Sequence, residues 1–446
     1  MSKAGTNFTD NYLNKFEWNK YTAVYSPKAD IDTIVVIPAI DERENIQKLL
    51  HSLSRNSKKS LTNTLFLFVI NNLVSSSDEV KLQNKLTLQD FNDLIQSPVK
   101  SAASSDASSM NLAYIDAASG DNALPVKTGG VGLARKTGMD TALQLFSDTA
   151  KRKILVCLDA DCTVAPNYLD AIRKAFMNDS VKCISIQYAH IVEKEKDEFQ
   201  EAITCYEIFL RYYVLGLVYA RSIFAFHSIG SAIACDIETY IKCGGMPKNK
   251  AGEDFYFLEK AAKVTKVHTL NSTKVYPSAR PSWRVPFGTG QRVERFLDKK
   301  IDEYFLYNPE SFSVLYKWLT LFQNQQLPYD ELIQEAERIN LQLRVFLENS
   351  NLKDFWNKAS TLSKDNFQSQ IKFWFDGFKT LKLIHHLRDT SLPQIDMFEA
   401  VQILTRMLGC EIKNEINPRH GDISGRINIL NSLRTISAAL AIDVIE

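Results

Sequence analysis

Two aspartates at the end of an apolar run carry the strongest chemical signal in the chain. Residues 154–158 (ILVCL) predict a buried strand, and Asp159, Ala160 and Asp161 follow it directly. Carboxylates at positions i and i+2 of such a turn can both face one hard cation. Mg²⁺ or Mn²⁺ held by few protein oxygens keeps positions open for substrate phosphates. The pattern indicates an enzyme that handles a nucleotide diphosphate, although taken alone it fits a solvated turn before the next helix equally well.

Acidic residues also lie where the first predicted strand meets the first predicted helix. Pro38, Ala39 and Ile40 lead into Asp41, Glu42, Arg43 and Glu44, and the cap-and-Glu spacing of Asp41 and Glu44 predicts a helix start. In an open α/β sheet, ligands lie beyond the carboxyl ends of the strands. This segment is therefore a candidate part of the same site, with a plain capped helix as the alternative.

A glycine-rich segment, 127–135, combines an adaptable backbone with two cations. Glycines let backbone amides approach phosphates closely, and Lys127 and Arg135 at its ends add positive charge. The spacing matches neither a P-loop nor the dinucleotide fingerprint, because Arg135 stands where the third glycine would be. A dinucleotide-binding fold is therefore disfavoured.

Two later segments carry further candidate side chains. Glu253 and Asp254 stand at a predicted helix start, where one carboxylate could serve as a general base. Acidic residues are also favoured at a helix N-terminus without any catalytic role. Arg280 and Arg284 lie in a predicted loop and are candidate phosphate ligands, with ordinary surface arginines as the alternative.

The elements that would position these residues alternate between strands and helices. Strands are predicted over 31–40, 65–70, 112–115, 154–158 and 183–188, with helices such as 166–177 between them. This alternation predicts an α/β domain with a largely parallel sheet. The polar stretch 75–111 is expected to be a flexible surface insertion. From about residue 298, apolar residues recur at three- and four-residue spacing, which predicts a helical C-terminal region.

Composition argues against several other classes of protein. The 446 residues include 53 Lys and Arg against 52 Asp and Glu, so the charge does not suggest a nucleic-acid partner. Seven cysteines without Cys-x-x-Cys pairs indicate free thiols in a reducing compartment. No secretory signal and no uninterrupted apolar stretch of about 18 residues is visible. A cytoplasmic protein without a transmembrane segment is therefore expected.

Four motifs in order resemble those of a known family. Pro-Ala-x-Asp-Glu at 38–42, Gly-x-Ala-Arg at 132–135, Asp-Ala-Asp at 159–161 and Gly-Glu-Asp at 252–254 resemble the GT-A glycosyltransferases of the large family-2 type. The resemblance covers roughly 31–290. It implies a Rossmann-like mixed sheet that binds nucleotide-diphospho-sugars. We expect an N-terminal extension (1–30), a GT-A domain (31–298) and a helical C-terminal region (299–446).

The resemblance also implies roles for the residues that match its motifs. Asp161 would bind Mn²⁺ or Mg²⁺ directly, and Asp159 would contact the ribose or a metal-bound water. His268 is a candidate third metal ligand, and 276–278 could fill that place instead. Asp254 would be the catalytic base, with Glu253 as the alternate. The implied donor-binding set is Pro38, Ala39, Glu42, Lys127, Arg135, Asp159, Ala160 and Asp161.

Departures from the family pattern narrow the prediction. Asn71 and Asn72 end the second strand where relatives often carry an aspartate for the base ring, so the nucleobase is open. Residues 291–296 miss the Gln-x-x-Arg-Trp signature of processive polymerising relatives. The segment 201–226 falls where relatives place acceptor elements, but it is best interpreted as a buried core helix; a membrane-surface helix is the other alternative.

The sequence thus predicts a metal-dependent, hexosyltransferase-like enzyme that is non-processive and inverts the anomeric centre. Its partners would be a nucleotide-diphosphate sugar donor and an acceptor hydroxyl, both unnamed by the sequence. Assembly of the C-terminal helices into a homo-oligomer stays open. Two alternatives remain. One is a sugar-nucleotide nucleotidyltransferase, which usually needs an N-terminal glycine-rich loop that is missing after Val36. The other is a catalytically silent nucleotide-sugar-binding module.

Overall fold

Runs of β-branched and aromatic residues form a mixed sheet in the computed structural model. The structure describes residues 4–15, 21–25, 30–96, 110–191, 197–280, 289–298, 304–410, 412, 423–441 and 444–445. The strands are β1 (Ala23–Tyr25), β2 (Thr33–Ala39), β3 (Thr64–Asn71), β4 (Asn111–Ala117), β5 (Ile154–Cys157), β6 (Thr163–Val164), β7 (Cys183–Tyr188), β8 (Ile233–Asp236), β9 (Val267–Tyr276), β10 (Phe305–Leu306), β11 (Ile395–Asp396) and β12 (Val444–Ile445).

Helices make up most of the remaining regular structure. They are α1 (Ala4–Lys15), α2 (Arg43–Ser54), α3 (Lys58–Thr62), α4 (Asp78–Gln96), α5 (Val131–Ala142), α6 (Tyr168–Ala175), α7 (Asp197–Tyr219), α8 (Ile237–Lys242), α9 (Glu253–Val264), α10 (Thr289–Leu297), α11 (Glu310–Phe322), α12 (Tyr329–Ile339), α13 (Leu341–Asn349), α14 (Leu352–Ala359), α15 (Lys364–Trp374), α16 (Gly377–Thr390), α17 (Met397–Met407) and α18 (Ile423–Leu440).

The sheet has its strands in the order β1-β4-β3-β2-β5-β8-β7-β9-β12, and β6 pairs with β9. Strands β4, β3, β2 and β5 run parallel, whereas β8 is antiparallel to both of its neighbours. Every residue of β2 and β3 is buried, which is typical of strands covered on both faces. The predicted mixed α/β sheet is confirmed. Because β2, β3 and β5 are parallel, their carboxyl ends meet at one edge.

The chain divides into two compact units whose borders differ from the predicted ones. The first unit comprises Met1–Ile191, Ser228–Gln291 and Asp443–Glu446, and the second comprises Val192–His227 and Arg292–Ile442. The predicted border at 298 lies close to the observed one. The segment before His227 nevertheless belongs to the helical unit, since α7 supplies Tyr212 and Leu215 to that unit's apolar core.

The helical unit encloses an apolar core of its own. Phe312 and Trp318 of α11 are fully buried in it. Glu207 of α7 is buried too, and it accepts hydrogen bonds from Arg211 (2.8 Å) and from Arg434 of α18 (2.7 Å). Among the described helices, 198–219 alone has the length and composition of a membrane span, and 61% of its most apolar stretch is buried. Burial of this kind favours the interpretation as a core helix.

The N-terminal segment is part of the sheet-bearing unit rather than an extension from it. Tyr12 of α1 is buried, and its hydroxyl donates to Asp140 Oδ1 (2.8 Å) and accepts from Lys136 Nζ (2.8 Å). Lys136 also pairs with Asp140 Oδ2 (2.9 Å), and Tyr240 of α8 donates to Asp140 Oδ1 (2.6 Å). We call these four residues the Tyr12 cluster. It ties α1 to α5 and α8.

Two local expectations are wrong. The predicted flexible insertion 75–111 contains the regular helix α4, and Asn111 already belongs to β4; 97–109 lie outside the described residues. Burial of an aromatic residue explains why this segment is a regular helix: Phe91 of α4 packs on Phe68 of β3, with ring centroids 4.5 Å apart. The side-chain cap predicted for α2 is also missing. This helix begins at Arg43, and Glu42 before it makes no capping hydrogen bond.

Candidate functional site

The turn after β5 presents two carboxylates at the carboxyl edge of the sheet. Leu158 N donates to Val36 O (3.2 Å), and Cys162 N closes the turn onto Asp159 O (3.1 Å). The side chains of Asp159 and Asp161 are 36% and 26% exposed. Ala160 between them is buried in the apolar core. Because the side chains of 159–161 alternate between partly exposed and buried, both carboxylates lie at the surface of the same edge of the sheet.

Arg135 of α5 is the buried centre of the site. Its Nη2 donates to Asp159 Oδ1 (2.9 Å), its Nε to Glu253 Oε1 (3.2 Å) and its Nη1 to Gly230 O (2.8 Å). Burial alone would lower the pKa of this guanidinium, but Asp159 and Glu253 raise it above its ordinary value. Arg135 thus holds together the side chains of Asp159 and Glu253 and the backbone carbonyl of Gly230. Its predicted place in the donor-binding set stays a prediction.

Glu253 and Asp254 stand at the start of α9, after Gly252 in the left-handed region (φ +72°). Glu253 is 3% exposed, and burial together with the charge of Asp254 raises its pKa to about 7. Burial also raises the pKa of Asp254, whose Oδ1 accepts from Phe255 N (2.8 Å). Asp254 is the more exposed of the two. Glu253 is committed to Arg135, so Asp254 is the more accessible carboxylate.

Gly230 leaves the space in which this cluster meets. A Cβ added to Gly230 would lie 2.8 Å from Arg135 Nη2 and 3.3 Å from Asp254 Oδ2. Any larger residue would push the guanidinium away from the carboxylates. The short distances also show that Asp254 lies beside Arg135, so that Asp159, Glu253 and Asp254 surround one cation.

Arg280 supplies a second cation on the other aspartate. Its Nη2 donates to Asp161 Oδ2 (3.1 Å) and to Glu42 Oε1. Asn45 Nδ2 donates to the other oxygen of Glu42 (2.7 Å). Burial would lower the pKa of Arg280, but Glu42 and Asp161 raise it. The sequence analysis identified all three residues but did not predict that they form one ion-paired group.

The glycine-rich segment serves packing within the protein. A Cβ on Gly132 would lie 2.2 Å from Asn249 O, and one on Gly130 would lie 3.0 Å from Lys250 Cα. Gly129 is equally constrained, by Leu73 at 2.4 Å. These glycines therefore allow close contact with the protein's own chain, and an approach of phosphates to their backbone amides stays a prediction. Lys127 of the same segment is exposed.

The structure does not bring His268 to the aspartates. His268 pairs with Ile184 near the start of β9, whereas Tyr276 at the other end pairs with Thr163, two residues after Asp161. Eight residues of extended strand separate His268 from Tyr276, or roughly 26 Å. The assignment of His268 as a metal ligand is therefore wrong. Residues 276–278 lie on the side of Asp161, and Arg284 lies outside the described residues.

A buried amide network supports the edge of the sheet and was missed. Asn84 of α4 donates to Asn71 O (2.9 Å) and Asn72 Oδ1 (2.9 Å), and it accepts from Asp41 N (3.0 Å). Asp41 has a positive φ of 55°, which is uncommon outside glycine. Asn71 Nδ2 donates to Ala39 O (3.1 Å), next to the buried Pro38. No spacing signal links Asn84 to these residues in the sequence.

Two carboxylates separated by one residue suit a divalent ion that completes its shell with ligand oxygens. Among the described residues, no group of three or more His, Cys, Asp and Glu could hold a metal ion on its own. Mg²⁺ is commonly bound through one or two carboxylates together with substrate phosphates. The donor set Asp159 and Asp161 fits this mode, and it does not fit a metal site built from protein ligands alone.

No protein-family model and no curated protein matches the chain. Solved structures of similar fold include S. aureus TarS 1–349, with 12% identity over 77% of this chain and 91% of that one and a TM-score of 0.36. The same protein in complex with UDP-GlcNAc gives 14% identity, the same coverage and a TM-score of 0.38. The mannosyltransferase PcManGT from Pyrobaculum calidifontis, in complex with GDP-Man and Mn²⁺, has 13% identity over 97% of this chain and 95% of that one, with a TM-score of 0.37. Similarity at this level carries no argument about chemistry, which rests on the site itself.

Proposed function

We propose that this protein is a divalent-metal-dependent glycosyltransferase. It moves a hexose from a nucleotide-diphosphate donor to an acceptor hydroxyl, in one step and with inversion of the anomeric centre. The observation that carries the proposal is the meeting of Asp159, Glu253 and Asp254 around Arg135. Such a group of acids and cations at the carboxyl edge of a sheet is suited to an anionic ligand bound through a metal.

On the donor side of the reaction, nearby positive charge must stabilise the negative charge of the leaving diphosphate. Asp161, with Asp159, would hold Mn²⁺ or Mg²⁺, which would offset that charge when bound. Arg280 contacts Asp161, so its guanidinium would be close to the phosphate oxygens of a donor bound through the metal. Glu42 and Asn45 keep Arg280 oriented on this side. Pro38 and Ala39 would shape the nucleoside end.

The acceptor side of the reaction needs a base. Asp254 would take the proton of the attacking hydroxyl, a contribution of about 10²–10⁴ in rate. Its raised pKa makes it a stronger base than an ordinary aspartate once it is ionised. Glu253 is the alternate base, but its contact with Arg135 gives it mainly an orienting role. Attack from the face opposite the diphosphate would invert the anomeric centre.

Nucleotide binding is the direct test. Thermal shifts measured with UDP and GDP, with and without Mn²⁺, should show one nucleotide raising the melting temperature only when the metal is present, since a specific ligand stabilises by mass action. Asp161→Asn should abolish that shift, whereas Lys85→Gln on the outer face of α4 should retain it. A shift that needs no metal would contradict the assigned role of Asp161.

Turnover separates the proposal from its alternatives. Transfer or hydrolysis on a panel of nucleotide-sugars should fall by about 10²–10⁴ in Asp254→Asn while nucleotide binding is retained. Near-native turnover in this variant would refute the base assignment. Pyrophosphate release from a nucleoside triphosphate would indicate a nucleotidyltransferase, and binding without turnover would indicate a silent binding module.

The location that we propose for this enzyme is the cytoplasm. All seven cysteines are free, and six of them are buried. Free thiols are typical of reducing compartments.

A further inference from the structure

A groove in the sheet-bearing unit lies beside the proposed donor site and has no assigned role. Its volume is about 650 Å³, within the usual range for small-molecule sites. One wall is the outer face of α2, and the other comprises 163–166 with Tyr276. Because 163–166 begins two residues after Asp161, and Tyr276 precedes Arg280 by four residues, the groove adjoins the ion-paired group of the site.

The groove is positively charged. Lys48 and His51 of α2 and Arg55, the residue that caps its C-terminus, follow one another at spacings of three and four residues, which places them on one side of the helix. All three are exposed, and the described residues that line the groove include no aspartate or glutamate. The lining therefore carries two positive charges with histidine neutral, whereas the whole chain carries a net charge of only +1. A cleft lined by one sign of charge attracts ligands of the other sign.

The floor of the groove is fixed by hydrogen bonds. Ser52 Oγ donates to Leu49 O (2.8 Å) within α2 and accepts from Val164 N of β6 (3.2 Å). Strand β6 is in turn paired with the end of β9 through Thr163 and Tyr276. The two walls are thus connected by a hydrogen bond from the backbone of β6 to the side chain of Ser52. A ligand would meet a preformed surface, so little ordering would be needed for binding.

We propose that this groove binds an anionic group, a phosphate or a carboxylate, carried by a sugar ligand. The inference rests on the proposed transferase function for the identity of that ligand as a sugar, and the groove adjoins Asp161 and Arg280 on the donor side of the site. Lys48 and Arg55 would pair with the anion, and Tyr276 would offer an aromatic surface to the sugar ring. A charged sugar held in this way would be distinguished from neutral sugars by its charge.

Calorimetric titrations would test the groove directly. Glucose, glucuronate and glucose 6-phosphate are compared as probes on the full chain, with the nucleoside diphosphate and metal present so that the donor site is filled. The anionic sugars should bind and glucose should not. Lys48→Gln combined with Arg55→Gln should weaken the anionic sugars by about tenfold or more and make binding insensitive to salt. Lys85→Gln combined with Lys151→Gln removes the same charge elsewhere and should change nothing.

The outcomes separate this inference from the function on which it rests. Equal binding of glucose and the anionic sugars, or unchanged affinity in the Lys48 and Arg55 variant, would overturn the groove proposal while the donor site stands. If no nucleoside diphosphate stabilises the protein, the transferase function fails, whereas the groove proposal is decided by the sugar titrations alone. The circular dichroism spectrum and melting temperature of the variant should match those of the wild type, since both side chains are exposed.

Discussion

Arg135 balances carboxylates that would otherwise repel one another. Asp159 and Glu253 both accept from its guanidinium, and Asp254 lies close enough to raise the pKa of Glu253. An isolated charge is costly to bury, and a buried group that loses its partner costs more than the pair is worth. The residue that sequence motifs suggest for ligand contact is thus also the residue that keeps the acidic groups together.

Loss of Arg135 should therefore destabilise the protein. Arg135→Met should lower the free energy of unfolding by about 3 kcal/mol, the lower end of the range for a broken buried pair, because Asp159 is about one third exposed. Urea denaturation would measure it. Arg43→Met is the matched control, since its pair with Asp90 is exposed on both sides and should cost less than about 1 kcal/mol. Equal losses in the two variants would show that Arg135 has no structural role.

The pKa of Glu253 gives stability a defined pH dependence. The pKa of Glu253 rises from its ordinary value of 4.5 to about 7 in the folded state. Between pH 4.5 and about pH 7, the folded protein therefore keeps a proton that the unfolded chain has released. Stability should therefore fall as the pH rises from about 4.5 to about 7, by at most about 1.4 kcal/mol per pH unit from this group.

Glu253→Gln should remove this contribution. Urea denaturation at pH 5, 6 and 7 should show a shallower loss of stability in the variant than in the wild type. Glu44→Gln, at an exposed position of α2, should leave the wild-type slope unchanged. Parallel slopes in wild type and Glu253→Gln would show that Glu253 ionises at its ordinary pKa.

At the scale of elements, α4 supports the turn between β2 and α2. Its Asn84 is 1% exposed and accepts from the amide of Asp41, whose φ is positive. The strands were predictable because each one is a run of consecutive, mostly apolar residues. The role of Asn84 could not be predicted, because a single asparagine within a polar stretch gives no local signal. The polar composition of 75–111 favoured a flexible segment instead.

Asn84→Ala should destabilise the protein by about 1–3 kcal/mol, because Asn71 O, Asn72 and Asp41 N each lose a buried partner. The comparison is Gln89→Ala, an exposed position on the same helix that should change stability by less than about 0.5 kcal/mol. Chemical denaturation measures both. A neutral Asn84→Ala would mean that the network is dispensable.

At the scale of the whole molecule, the chain passes repeatedly between its two units. The segment Val192–His227 belongs to the helical unit although it interrupts the sheet-bearing one in sequence. Sequence patterns predicted both kinds of structure and their approximate border, since composition changes there. They could not predict which unit would bury α7, because an apolar helix has the same pattern in either place. The candidate site was predictable only as separate motifs, since the contacts of Arg135 and Arg280 join residues 24 to 238 positions apart in the sequence.

Truncation tests this division. A fragment ending at Gln291 keeps α7 but removes the helices that bury Tyr212 and Leu215. It should expose apolar surface, bind the dye ANS and aggregate. The same fragment with 192–227 replaced by a Gly/Ser linker should stay monodisperse and bind the dye weakly. If the first fragment is also monodisperse, the assignment of α7 to the helical unit is wrong.

The Tyr12 cluster has a further electrical consequence. Burial raises the pKa of the Tyr12 phenol far above neutrality, so the group stays uncharged. The ammonium of Lys136 and the carboxylate of Asp140 then cancel, and the cluster as a whole is neutral. Helix α1 is accordingly anchored by a neutral, buried cluster and by close packing, so added salt should not loosen it.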